Sequence, residues 1–185
     1  DMTWENTNDL MSRLSQKYRY SLRKEILKRE GQFEVEFKRP TGKHEQEYTF
    51  ELYKNVHSQS TEISVFELPY KLFQKMYTDP SYDFIYLYLK EVSEKPVAVM
   101  MSQIIDNIYN AQLVGLDYNY AREYGCYKQI LYQTVKRAKY LGCEKIDLAY
   151  TADMEKRKVG AKPKDNFGFA MALEHDSYVE MQSLK

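Results

Sequence analysis

Between Phe84 and Leu116 the chain carries three apolar runs of strand length, joined by turns too short to do anything but reverse it. Over Phe84 to Val92, Ile85, Leu87 and Leu89 fall on one side and Tyr86 and Tyr88 on the other, the period of a pleated strand. Ser93-Glu94-Lys95-Pro96 is turn chemistry, and so short a link joins antiparallel neighbours. Val97 to Ile105 is almost wholly apolar, as a central strand covered on both faces must be. Asp106-Asn107 turns the chain again, and Tyr109 to Leu116 gives a third strand. From Gly125 to Leu141 the period changes to that of a helix: Tyr127, Ile130, Leu131, Thr134, Val135, Ala138 and Leu141 share one face. Lys136, Arg137 and Lys139 suit its C-terminal dipole, and Gly142 its end. Lys145 to Tyr150 reads as one more strand. A strand, a crossover helix and a strand in that order give a parallel pair. The expected class is α+β: a mixed, mostly antiparallel central sheet flanked by helices.

The flanks fit around this unit. Leu10 to Arg29 is expected to be one amphipathic helix, with Met11, Leu14, Tyr18, Leu22 and Ile26 as its apolar stripe and Arg13, Lys17, Lys24 and Lys28 opposite. Gly31 is a natural stop. Phe33, Val35 and Phe37 alternate with glutamates as in a half-buried strand. Helices are expected over Glu45 to Val56 and Pro69 to Tyr77, a short helix over Asp153 to Val159 ending at Gly160, and a last strand over Phe167 to Leu173.

At 185 residues the length suits one domain, 1–185, and the absence of an initiator Met suggests a piece of a longer protein. The net charge is zero, so no global field draws nucleic acid or membrane. The longest purely apolar run, Val97 to Met101, cannot span a bilayer, and no signal peptide is visible. Cys126 and Cys143 lie at opposite ends of the long helix, too far apart to bridge. They read as free thiols in a reducing compartment, here the cytoplasm. His44, His57 and His175 have no cysteine at ligand spacing, so no metal is expected. Eighteen tyrosines point to many half-buried rings with a polar tip.

The run of three strands, polar loop, helix, strand, short helix and Gly160-Ala161 resembles the core of the GNAT acyltransferases. That family's pattern at the entry to the long helix is Q/R-x-x-G-x-G/A. Arg122 and Gly125 match it, and Tyr127 stands where a small residue is expected. The resemblance implies that Arg122, Gly125, Cys126 and Tyr127 frame the pyrophosphate of an acyl-CoA co-substrate, with no cofactor tightly bound. The physics is that of backbone N–H groups and the helix dipole meeting an anion. The family often carries a Tyr four residues before the later Gly, as the acid for the leaving thiolate. Here that position is Lys156, and Tyr150 is the substitute candidate. Asp117 and Tyr118, closing the third strand, are candidates near the acceptor amine, with Asp117 as proton acceptor or, more simply, as a cap. Lys158 is a candidate for a substrate carboxylate or phosphate. A thiol at a helix N-terminus, Cys126, is expected to have a lowered pKa.

Leu14-Ser15-Gln16-Lys17-Tyr18-Arg19-Tyr20-Ser21-Leu22-Arg23-Lys24, Lys95-Pro96-Val97-Ala98, Gly115-Leu116-Asp117-Tyr118, the Tyr127 to Leu131 segment and Lys158-Val159-Gly160-Ala161 are similar to segments of the FemAB-like and BioF2-like branch. The activity implied is acyl transfer from an acyl thioester to a small-molecule amine or amino-acid-like acceptor. The alternative donor is aminoacyl-tRNA, which the basic first helix favours. A third reading is a non-catalytic domain that binds a ligand and packs on a second GNAT domain or on its own copy.

Overall fold

The computed structural model describes residues 1–59 and 66–165. Five strands form one sheet in the order β1-β2-β3-β4-β5. They are β1 (Phe33–Phe37), β2 (Tyr82–Leu89), β3 (Ala98–Ile105), β4 (Ile108–Leu116) and β5 (Lys145–Asp147). The first four pair antiparallel and β5 runs parallel to β4. This is the mixed, mostly antiparallel sheet expected of an α+β chain. The strand proposed over Phe167 to Leu173 lies outside the described residues.

The alternation in β2 sorts two cores. Ile85, Leu87 and Leu89 join Ala98, Met100, Tyr109 and Leu116 on the face covered by the helix α6 (Cys126–Tyr140). Phe84 and Tyr86 join Val99 and Met101 on the other face, against α3 (Lys43–Gln59) and α4 (Tyr70–Thr78). Val97 to Ser102 is buried throughout, as a doubly covered strand requires. Gly115 marks the closest approach of α3 to the sheet. A Cβ there would stand 2.7 Å from Leu52 Cβ and 2.8 Å from Val99 Cγ1.

The N-terminal segment departs from the single expected helix. It forms α1 (Thr7–Ser12) and α2 (Gln16–Ser21), then loosens into a π turn over Leu22–Ile26 and a 3-10 stretch over Leu27–Gln32. The break falls at Ser15, which is extended and uses its hydroxyl to accept from the Tyr18 N–H at 3.4 Å. A local side-chain cap outcompetes helix continuation there. Leu14, Leu22 and Ile26 are still buried, because the turns on either side keep the apolar stripe facing α6 and α7 (Asp153–Lys158).

The stretch before the long helix is not a loop. Asp117 accepts from the Asn119 N–H at 3.0 Å and caps a further helix, α5 (Tyr118–Tyr124). Gly125, at φ 70°, ends α5 and opens α6, a conformation that favours glycine. The strand expected over Lys145 to Tyr150 stops at Asp147, because Ala149, Thr151 and Ala152 all take positive φ.

Replacing Gly115 by Ala forces backbone and Cβ atoms of α3 to move. We expect Gly115→Ala to cost about 1–3 kcal/mol by overpacking, read as a lowered midpoint in urea unfolding with an unchanged slope.

Candidate functional site

The parallel pair that closes the sheet is very short. Only Ile108, Tyr109 and Asn110 of β4 face Lys145, Ile146 and Asp147 of β5. From Ala111 to Leu116 the β5-side edge of β4 has no strand beside it among the described residues. The β3–β4 register shifts between Met101 and Ser102, leaving Gln112 as an extra residue in β4, and a bulge of this kind bends a strand away from its neighbour. The result is a split between β4 and the chain after β5. Asn55 of α3 reaches its far end and donates Nδ2–H to the Leu116 carbonyl at 3.1 Å.

A cavity of about 330 Å³ lies beside this split, lined among others by Asp106, Asn110, Gln112, Asp147, Ala149 and Tyr150. Its far wall is the turn after β5. Three non-glycine residues there, Ala149, Thr151 and Ala152, sit at φ 57°, 61° and 51°. Each such residue costs on the order of 1–2 kcal/mol. Asp147 Oδ1 takes the Ala149 N–H at 2.7 Å, and the ammonium of Lys156 donates to the Ala149 carbonyl at 3.0 Å and to that of Tyr150. Lys156 is 5% exposed, and burial pulls its pKa down against the opposing pull of Asp153 and Asp147. Sequence reasoning finds no role for this lysine beyond its place where the family's Tyr is expected. Its signal is position: a lysine on a short helix right after a strand end.

Beyond β4 and α5, α6 follows Gly125 with no side-chain cap and no acidic residue in its first turn. Its first N–H groups are therefore free to meet an anion. A cation stands beside them that the sequence did not single out. Arg29 donates Nη1–H to the Glu123 carbonyl at 2.6 Å, and the same nitrogen lies 3.6 Å from where a Cβ on Gly125 would be. Arg122 is exposed on α5.

Tyr127 is half-buried and turns against the main core, as its helical spacing with Ile130 and Leu131 predicts. Burial, aided by Glu155, pushes its phenol up to about 12. Cys126 corrects an expectation. The thiol is fully buried, and desolvation drives its pKa up to about 12, against the lowering expected at a helix N-terminus. Both cysteines are free and buried. Asp117 spends Oδ1 on capping α5, at 3.0 Å to the Asn119 N–H and 2.9 Å to its amide Nδ2. Tyr118 is 43% exposed and Tyr150 64%, and Tyr150 lines the cavity. Ala152 holds the N-cap position of α7, with no side-chain cap.

Lys158 faces inward. Its ammonium lies 3.1 Å from Glu25 Oε2 and 2.9 Å from Glu155 Oε1, and Lys128 approaches the same Glu25 oxygen at 2.5 Å. This cluster ties the N-terminal segment to α6 and α7. The Lys128 hydrogen bond is the largest influence on Glu25, whose pKa falls to about 2 despite its burial. Among the described residues no group of three or more His, Cys, Asp or Glu gathers as a metal site, and no helix is long and apolar enough to cross a membrane.

Residues 16–157 match the family described as Acetyltransferase (GNAT) domain. No curated protein matches the sequence. Solved structures share the fold at low identity. One is an aminoglycoside acetyltransferase, meta-AAC0020, from an uncultured soil metagenomic sample in complex with sisomicin (14% identity, TM-score 0.56, 78% of this chain and 98% of that one). Another is a possible acetyltransferase from Clostridium difficile 630 (16%, TM-score 0.52, 77% and 99%). A third is AAC(6')-Iy in complex with the bisubstrate analogue CoA-S-monomethyl-acetylneamine (8%, TM-score 0.51, 76% and 97%).

The Glu25 cluster makes a pH prediction. Its folded pKa lies below the unfolded value of roughly 4.3, so the stability it adds is present above that value and lost as pH falls towards 2. Glu25 is 31% exposed, so screening holds its worth to about 1 kcal/mol. Thermal melts from pH 6 to pH 2 should show a flatter acid limb for Glu25→Gln than for the native chain.

Proposed function

The chain belongs to the GNAT acetyltransferase family, and from that premise we propose that it moves an acyl group from an acyl thioester of the acyl-CoA type to a small amine. The observation that carries this reading is the split. An unpaired β4 edge would offer a thioester arm backbone groups, and the uncapped α6 N-terminus with Arg29 near it would offer its pyrophosphate a cationic end.

The reaction on this reading needs no covalent enzyme intermediate. The acceptor amine attacks the thioester carbonyl, a C–N bond forms, the nitrogen gives up a proton, the C–S bond breaks, and the departing thiolate takes up a proton. Most of the rate comes from holding the two partners in line and from N–H groups aimed at the carbonyl oxygen. Tyr150, exposed at the cavity, is the phenol we assign as proton donor to the thiolate. Asp106 and Asp147 in the cavity lining favour a cationic acceptor, in keeping with the aminoglycoside bound by one structural relative. Asp117 and Tyr118 remain candidates at the acceptor side, Asp117 through the carboxylate oxygen that does not cap α5. The buried, unpaired thiols suit a reducing compartment, and we assign the cytoplasm.

One observation favours aminoacyl-tRNA as the donor instead. Glu25 and Glu30 turn inward onto Lys128, Lys158, Gln133 and Lys136, which leaves Lys17, Arg23, Lys24 and Lys28 as an exposed basic face without acids. An affinity for tRNA that falls steeply between 50 and 200 mM salt, with no heat from any acyl-CoA, would select that donor.

Calorimetry with acetyl-CoA and longer acyl-CoAs tests the first reading. Binding is expected for the native chain. Gly125→Val should weaken it at least tenfold, because the residue sits at φ 70° and its side chain would meet Arg29. No heat with any acyl-CoA removes the thioester donor.

A further inference from the structure

The turn after β5 is built around a buried lysine that no step of the reaction yet uses. Lys156 draws two successive carbonyls, those of Ala149 and Tyr150, onto one ammonium. Peptide planarity then orients the next two donors. In a trans peptide the N–H points opposite to the C=O, so the N–H groups of Tyr150 and Thr151 point away from Lys156. Neither has a hydrogen-bond partner among the described residues. Ala149 and Thr151 lie at positive φ and Tyr150 between them does not. With both carbonyls drawn to one ammonium, the two consecutive N–H groups face the same way, the arrangement by which a turn takes an anionic oxygen. The two donors precede the first residue of α7, so they are not that helix's own terminal groups. Ala149 and Tyr150 line the cavity, opposite Asn110, Ala111 and Gln112 of β4.

We propose that the Tyr150 and Thr151 N–H groups receive the carbonyl oxygen of the reacting acyl group, and that Lys156 is the positioning residue that aims them. Lys156 does not touch the substrate. It works by holding two carbonyls inward on a turn whose three left-handed, non-glycine residues would otherwise relax. Asp147 assists by fixing the Ala149 N–H, leaving the next two free. The attacking amine adds to the carbonyl carbon, the oxygen takes up negative charge against the two N–H groups, and that charge returns to the C=O bond as the C–S bond breaks. Donors placed where charge develops stabilise the transition state without rearranging.

The proposal rests on the thioester reading, and one titration separates the two. The probes are CoA and the non-hydrolysable ketone analogue of acetyl-CoA, followed by amide NMR on the intact protein. The ketone analogue should shift the Tyr150 and Thr151 amides downfield, and CoA, which lacks the carbonyl, should not. In Lys156→Met the shifts should vanish, and the analogue should bind about tenfold more weakly while CoA affinity is unchanged. Lys156→Arg, which keeps a cation and its donors, should restore part of the preference, and it serves if the Met variant does not fold. Binding of the analogue with both amides unmoved overturns the proposal and leaves the thioester reading standing. A Lys156→Met protein that keeps its full preference for the carbonyl also overturns it. No binding of either probe removes the thioester reading and the proposal together.

Discussion

The contact on which the rest of this architecture depends is at the closed end of the sheet, away from the candidate chemistry. Arg137, near the end of α6, grips Asp83 of β2 with Nη2 at 2.8 Å and Nε at 3.0 Å, and Tyr109 of β4 donates its hydroxyl to the same carboxylate at 2.7 Å. Both charges are largely buried, at 16% and 14% exposure, and the guanidinium lies over the Phe37 ring at 4.4 Å. A buried pair gains little over an apolar one of the same shape, yet breaking it strands a charge. Its use is geometric. It fixes the C-terminal half of α6 across three strands, at the end of the sheet where β4 and β5 still pair. Burial and the neighbouring Asp83 push the Tyr109 phenol well above its ordinary range, which favours the hydroxyl as a donor to that carboxylate.

The sheet was legible because each strand answers to one physical demand. β2 alternates because it is covered by different helices on its two faces, and β3 is apolar throughout because both faces are covered at once. Where two demands compete, the pattern misleads. The stripe from Met11 to Ile26 has helical period, but Ser15 offers its hydroxyl to the Tyr18 N–H, and the chain breaks there while keeping the stripe buried. The run from Tyr118 to Tyr124 looks like polar loop, yet Asp117 before it and Gly125 after it supply a cap at each end. β5 ends early because a lysine nine residues beyond its last residue takes the carbonyls that a longer ladder would have used.

The candidate site divides in the same way. The helix entry at Gly125 was visible as a glycine between a strand and a helical period, and the inward turn of Tyr127 follows from that same period. The long-range partners were not visible. Nothing local to Lys158 predicts Glu25, 133 residues away, or places Arg29 beside Gly125. Cys126 shows why position alone is a weak guide to reactivity. The helix terminus should lower its pKa, but full burial opposes this and prevails.

The N-terminal segment then takes on a second meaning. Its acidic side chains are spent inward: Glu25 on Lys128 and Lys158, and Glu30 on Gln133 and Lys136. The inner contacts lock the segment onto α6 and α7. They also strip its outer face of negative charge and bring Arg29 to the start of α6. One arrangement thus fixes the helix and raises the positive potential beside its uncapped N-terminus, where dipole and side-chain charge act with the same sign. A donor carrying phosphate is favoured by that field whether its acyl carrier is a pantetheine arm or an RNA end. On the thioester reading the donor must also bring its carbonyl to the Tyr150 and Thr151 N–H groups, on the turn whose carbonyls Lys156 holds.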